Sequence, residues 1–376
     1  MSFRIFNPKI INQAGPACCR GFNVLVFFML LAGSCASAME FVRVADDHRH
    51  FVLADSGKPF IPWGHNYAVN EPDPPAPVDW DKVARDFDDF RQMGANVARI
   101  HLQVPHFMAG PETPNPQALA ELAHWLTLAE QKGVYLDLTG LASYHIEHRA
   151  AWYDKLSDQK RWAVQARFWR AIATVCARSP AVFCYDLMNE PIATGQPKDG
   201  WYTGRMGDYE FLQRLSLQPK GRSLDQITKA WTHLMVSAIH KEDRRHLLTV
   251  GMLPMWGISQ QVAGRQLDFI AVHIYPETGK VDEALQTLKR FDIGKPIVVE
   301  ETFPLHCDAA EEREFLLRSR ALARGWLGQY PSEGLGELLA LEKAGNLSVV
   351  QSLYLSWLNL FRGLTPQMLQ PAPGTS

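Results

Sequence analysis

Basic charge is in short supply in this chain. Lys and Arg number 38 against 40 Asp and Glu, a formal net charge of −2. No cationic footprint for nucleic acid results, and a nucleic-acid partner is not expected. Cysteine is scarce, six in 376 residues. Cys18, Cys19 and Cys35 crowd the N-terminus, and Cys176, Cys184 and Cys307 remain, an odd set without metal-ligand spacing. That excludes a disulfide framework and predicts at most one bridge, with three buried thiols as the expected state. Long hydrophobic runs are missing as well. The strongest, 24–31 (VLVFFMLL), is too short to span a bilayer comfortably. Repeats at solenoid periods are absent, and no linker splits the rest of the chain.

The short run has a use of its own. Arg4, Lys9 and Arg20 precede it and Ala36-Ser37-Ala38 follows it, the layout of a secretion signal cleaved near Met39. The long basic region also allows a start codon further downstream. Residues 31–35 (LAGSC) resemble a lipoprotein box, which would put a lipid on Cys35. The protein is expected to be secreted, periplasmic or on the cell surface, and monomeric.

Aromatics are plentiful: 11 Trp and 10 Tyr. They serve either as core or as platforms for sugar rings. Residues 40–60 alternate and turn like a small β-hairpin, with 48–50 (HRH) at its solvated tip. From there apolar strands and amphipathic helices take turns. Strands are expected at 60–67, 96–101, 133–139, 181–189, 246–250, 268–275, 296–301 and 325–330. Helices are expected after Asp79 (an N-cap, with Val83, Phe87 and Phe90 on one face), along Leu119, Leu122, Ala123 and Leu126, and over 155–178, 224–240, 281–291, 309–323 and 347–361. Residues 193–222 read as a long rim loop, of the kind that usually carries function. Eight β-then-α units predict a (β/α)8 TIM barrel with a small N-terminal β-hairpin. The layout is a signal peptide over 1–38, a catalytic barrel over 39–364 and a Pro-rich tail over 365–376.

The chemistry gathers at two strand ends. Residues 185–191 (YDLMNEP) put Asn189 and Glu190 at the exit of a buried strand that Pro191 stops. Residues 295–301 (KPIVVEE) end a second strand in Glu300 and Glu301. A parallel barrel keeps its active site at such ends. Two carboxylates there suit cleavage of a glycosidic bond. Strand alternation lets only one of Glu300 and Glu301 face the barrel axis. His145, Glu147 and His148 lack the order and the third ligand of a metal site, and neither metal nor cofactor is expected.

With Arg99 on strand two, Asn189-Glu190-Pro191 on strand four, His273 and Tyr275 on strand six and the acids of strand seven in that order, the chain resembles clan A glycoside hydrolases. It is most similar to family 5, the cellulase and mannanase family, over nearly all of its length after residue 38. The resemblance implies Glu190 as acid/base and Glu301, rather than Glu300, as nucleophile. It implies Arg99 and Tyr275 as braces for that nucleophile, Asn189 as a partner of the sugar 2-hydroxyl and His273 lining the subsite. Two positions depart from the family: Thr139 replaces a common His, and Tyr330-Pro331 stands where many members carry a Trp platform. Trp63, Tyr67, Trp201 and Trp256 are the candidate platforms. The function expected is a secreted retaining β-glycoside hydrolase, endo-acting on a β-1,4-linked mannan or glucan oligo- or polysaccharide. The alternatives are an exo-acting β-glycosidase or transglycosylase on the same site, or a non-catalytic carbohydrate-binding barrel.

Overall fold

The structure, a computed structural model, describes residues 39–67, 77–255 and 257–371. The signal, Cys35 and Trp256 lie outside the described residues. Eight parallel strands close into one barrel. They are β1 (Trp63–Tyr67), β2 (Val97–Gln103), β3 (Tyr135–Ala142), β4 (Val182–Asn189), β5 (Leu247–Met252), β6 (Ile270–His273), β7 (Ile297–Glu301) and β8 (Gly325–Tyr330). β8 pairs with β1 and completes the ring. The expected TIM barrel is therefore present.

The surrounding helices are α1 (Trp80–Met93), α2 (Pro116–Lys132), α3 (Asp158–Cys176), α4 (Leu224–Ile239), α5 (Val281–Lys289), α6 (Ala309–Ser319), α7 (Gly334–Ala344) and α8 (Val349–Met368). Between β5 and β6 the helix shrinks to one turn, Gln260–Ala263. Local chemistry sets the boundaries. The Asp79 side chain caps α1 by accepting from the Lys82 amide, and Gly94 ends the helix in the left-handed region. Val83, Phe87 and Phe90 are the buried face, as their spacing predicts. On α2 the stripe is rotated from expectation: Trp125 and Ala129 are buried and Ala123 is exposed. The bulkier Trp125 wins the core contact.

The expected tail at 365 is a misplacement. α8 runs to Met368 with Pro366 inside it. Proline there removes one hydrogen bond, while Leu364 and Met368 bury against the barrel. Thr365 also bonds the fold, accepting from Trp63 Nε1 at 2.9 Å and donating to the Met93 carbonyl at 2.8 Å.

The segment 193–222 is more ordered than a loop. Tyr202–Met206 and Tyr209–Arg214 form an antiparallel ribbon, and Pro191–Ile192 pairs with its second strand. The ribbon thus grows directly out of the end of β4. At the opposite end of the barrel, strands Val42–Val44, Phe51–Leu53 and Pro59–Phe60 make the small N-terminal sheet. Its Phe51 and Phe60 plug the floor against Phe183 and Phe269. Cys176 and Cys184 are buried free thiols, while Cys307 is only half-buried.

Candidate active site

Each inner strand face changes character as it climbs. β2 goes from Val97 to Arg99 and His101, β3 from Tyr135 to Asp137 and Thr139, and β4 from Cys184 to Asp186 and Asn189. Polar side chains therefore meet at the C-terminal mouth. The organising group is Arg99, which is fully buried. Its Nη1 donates to Glu301 Oε1 at 2.6 Å and Asn66 Oδ1 at 2.8 Å. Its Nη2 donates to Asp186 Oδ2 at 2.8 Å and Asn189 Oδ1 at 2.9 Å. Burial opposes its charge, but Glu300, Asp186 and Glu301 more than offset that and hold the guanidinium charged.

Glu301 and Glu190 are the two acids that reach solvent, with side chains 14% and 15% exposed. One carboxylate oxygen of each, together with a His273 nitrogen, lies within 4.8 Å of the others. Tyr275 donates its hydroxyl to Glu301 Oε2 at 2.7 Å, and Gln329 Nε2 in turn donates to that hydroxyl at 3.0 Å. Burial alone would raise the Glu301 pKa. The His273 charge, Arg99 and the Tyr275 hydrogen bond overcome it and bring Glu301 down to about 2. Glu301 is thus ionised and aimed.

His273 connects the two acids. Its Nδ1 lies 2.8 Å from Glu190 Oε1 and its Nε2 lies 3.2 Å from Glu300 Oε2. Burial disfavours the imidazolium, yet Glu301, Glu190 and Glu300 push its pKa up to about 10. Both ring nitrogens then carry protons and donate. In that state both nitrogens are committed to carboxyl groups, with Glu190, His273 and Glu301 placing one atom each within 4.8 Å of one another. The positive charge at the mouth is supplied by Arg99 and His273.

Glu190 itself stands at φ +46°, a left-handed conformation that costs a non-glycine residue roughly 1–2 kcal/mol. Its amide donates to the Gly251 carbonyl at 2.8 Å, which pins the strained turn. Gly251 is needed for a second reason. A Cβ there would stand 2.7 Å from Glu300 Oε2, 2.8 Å from His273 Nε2 and 3.0 Å from Arg99 Nη2.

Glu300 corrects the alternation argument. It points inward too, fully buried beneath Glu301. The pairing of β6 with β7 shifts so that Val272 opposes Val299 while His273 opposes Glu301. The extra residue is a bulge, which sends consecutive side chains toward one side. Further residues that sequence reasoning passed over join the site: Asn66, Asp137, Asp186, Gln329 and His101. Parity would have found several of them, since Asp137 shares a face with Thr139 and Asn66 lies out of phase with Trp63 and Tyr67.

The same parity turns two of the four proposed platforms, Trp63 and Tyr67, away from the mouth, and burial takes Trp201 from it. Trp63 is fully buried and stacks on Phe361 at 3.9 Å. Tyr67 turns into the helix layer and donates to Asp86 at 2.5 Å. Trp201 is buried at the foot of the ribbon, its Nε1 on the Asp154 carbonyl at 3.1 Å and Arg161 over its ring. Tyr330 is buried as well. Aromatic rings do flank the mouth, from elsewhere: His101 packs on Tyr144, Tyr144 on Phe211, and Phe211 stacks with Tyr209. The Phe211 carbonyl accepts a long hydrogen bond from Asn189 Nδ2, 3.4 Å, which brings the ribbon to the edge of the acid pair.

A family model described as Cellulase (glycosyl hydrolase family 5) matches residues 60–295. The chain belongs to glycosyl hydrolase family 5. It is a glycoside hydrolase. The match to the family 5 model ends before Glu300 and Glu301, so their placement rests on the structure. No curated protein matches the chain in sequence. Solved structures share the fold at low identity. An exo-β-1,4-mannosidase from Opitutaceae bacterium strain TAV5 is 16% identical with a TM-score of 0.64, covering 86% of this chain and 62% of that one. The GH5_18 protein from Streptomyces cattleya, solved with GlcNAc, is 16% identical with a TM-score of 0.59, covering 83% and 81%. A β-1,4-mannanase from the sea hare Aplysia kurodai is 15% identical with a TM-score of 0.57, covering 86% and 96%.

Proposed function

We propose that this family 5 hydrolase is a retaining β-glycosidase. Glu301 attacks the anomeric carbon while Glu190 protonates the leaving oxygen. Glu190 then takes a proton from the water that releases the glycosyl-enzyme. The supporting observation is the acid pair itself, with an oxygen of each carboxyl within 4.8 Å. Retaining enzymes hold their carboxyl groups about 5–5.5 Å apart, and inverting enzymes leave room for water at about 6.5 Å or more. The two acids are also in different surroundings. Glu301 is held ionised by Arg99 and Tyr275, as a nucleophile needs. Glu190 shares a hydrogen bond with His273. The His273 Nδ1–H donates to Glu190 Oε1 in both roles, so Glu190 is the acid while its other oxygen carries a proton and the base once that proton has gone to the leaving group. Asn189 spends its carbonyl on Arg99 and offers its amide to the sugar 2-hydroxyl.

The substrate class favoured is a β-1,4-linked mannan or glucan. Two of the structural neighbours above are named for β-1,4-mannose chemistry, and the family is described as a cellulase family. Exo-action is the second reading. The ribbon Tyr202–Arg214 rises from the end of β4 beside the acid pair, where it would wall one end of the cleft into a pocket. Transglycosylation would use the same groups. We place the protein outside the cytoplasm, as a secreted, periplasmic or surface-held monomer, on the strength of residues 1–38. Among the described residues no helix is long and apolar enough to cross a membrane.

The test is a panel of β-mannans, β-glucans and aryl β-glycosides, scored for new reducing ends and product length. Turnover of a β-1,4-mannan or glucan, lost in E190A and E301A, is expected. Long products from early time points mean endo-action, and monosaccharide alone means exo-action. Turnover that survives E301A would sink the mechanism.

A further inference from the structure

Beneath the acid pair lies a second set of carboxyl groups, and no step above uses it. Asp137, Asp186 and Glu300 are all fully buried, with one oxygen of each within 4.8 Å of the others. Asp186 is well supplied with donors: Arg99, Thr139 Oγ1 at 2.9 Å and the Gly251 amide at 2.7 Å. Asp137 is not. No N–H or O–H donor among the described residues reaches either of its oxygens, and Glu300 Oε1 is equally without one. What Asp137 faces is the Glu300 carboxyl and the Cys184 thiol. Two carboxyl groups can hydrogen-bond only when one carries a proton. Two ionised ones would leave both Asp137 oxygens and Glu300 Oε1 buried without an N–H or O–H donor.

The charges around them point the same way. Arg99 and His101 arrive from β2, Asp186, Cys184 and Glu190 from β4, His273 and Tyr275 from β6 and its exit, and Glu300 and Glu301 from β7. β1, β5 and β8 add Asn66, Gly251 and Gln329, none of which titrates. Five carboxyl groups therefore meet one guanidinium and two imidazoles.

We propose that Asp137 is held as a neutral carboxylic acid that shares its proton with Glu300, and that the pair acts as a positioning device for Glu190 through His273. The proton gives Glu300 a donor on one side. Its other oxygen, Oε2, is then held toward His273 Nε2. That contact fixes the ring and directs Nδ1–H at Glu190 Oε1. Burial and the neighbouring Glu300 and Asp186 charges, partly countered by Arg99, push the Asp137 carboxyl well above the usual range. The consequence for Glu190 rests on the acid/base role proposed above; the protonation of Asp137 does not.

The test is chosen to keep these apart. Infrared spectra of the purified protein are recorded about four units above the ordinary aspartate pKa, unlabelled and with carboxyl-13C aspartate. A carboxylic-acid carbonyl band that moves with the label and vanishes in D137N is expected. Absence of the band, or its indifference to the label, would overturn the proposal, and so would a stoichiometric metal ion found in the protein. If D137N does not fold, the label shift in the unsubstituted protein decides. Kinetics then read the positioning role. D137L removes the donor, and D137N, which restores one without charge, is expected to recover kcat/KM at least about tenfold over it. E300Q is expected to shift the pH profile of kcat/KM by about one unit or more. Equal damage in D137N and D137L, or an unmoved profile in E300Q, would refute the link to Glu190 while leaving the infrared result standing.

Discussion

The two ends of this barrel are built from the same strands and obey opposite rules. At the floor, the inner face is Val97, Tyr135, Phe183, Leu247, Phe269, Ala271, Val298 and Leu327, closed by Phe51 and Phe60 of the small sheet. At the mouth, a few residues further along, it is Arg99, Asp186, Asn189, His273, Glu300 and Glu301. The floor gains from removing apolar area from water. The mouth gives some of that stability away by burying charge, which is favourable only while every charge keeps its partners. Backbone irregularities follow the same division. The bulge at Glu300 and the left-handed Glu190 both lie at the mouth, where strain is more often functional.

The comparison breaks most sharply at the acid pair. E301A and E190A are each expected to lower kcat by about 10^4-fold, read by reducing-end assay, with a folded circular dichroism spectrum retained. R99L should strike both activity and fold, because it strands Asp186, Glu300 and Glu301 without their cation. A loss of about 3–5 kcal/mol in urea unfolding is expected. At the floor the effects separate. F183A should cost about 3–5 kcal/mol through the cavity it leaves, while kcat per folded molecule stays put. A large fall in kcat at full folding would mean the floor is not merely structural.

The pH dependence sharpens the picture of the mouth. Glu301 titrates at about 2 in the fold, below its unfolded value, so its contribution is present above the ordinary glutamate pKa and fades as pH falls toward 2. His273 titrates at about 10, above its unfolded value, so its contribution is full below the ordinary histidine pKa and fades as pH rises toward 10. The pair therefore supports the fold best between about pH 4.3 and 6.5. H273N should flatten the alkaline flank of a stability–pH curve, and E301Q the acid flank. Glu312 behaves in the reverse sense. Burial, against hydrogen bonds from Thr302 and Cys307, pushes it up to about 7, so stability should fall as pH rises from about 4.5 to 7, less so in E312Q. Smallest of all, W201F should leave KM within about twofold; a marked rise would restore Trp201 as a sugar platform.

Much of this was legible in the residues. The eight strands stood out because each is a short apolar run between turn signals, and the acids stood out because they end two of them. What escaped has local causes. The bulge at Glu300 breaks the alternation by which one acid was to be excluded. Residues 202–214 carry Gly204 and Gly207 and little apolar alternation, so a ribbon read as a loop. Trp63 and Tyr67 sit on a barrel strand, but on its outer face, and residue type alone does not tell which face looks inward. The Asp137–Glu300 contact joins β3 to β7 across the barrel, a proximity that no spacing along the chain records.

The central claim is that Glu301 is the nucleophile of a double displacement. The most direct measurement is trapping with an activated 2-deoxy-2-fluoro glycoside of the sugar the panel identifies, followed by peptide mapping. The expected result is one glycosyl adduct per chain, on Glu301. An adduct on Glu300 or Glu190 would contradict the assignment, and turnover that releases the inverted anomer with no adduct would contradict the mechanism.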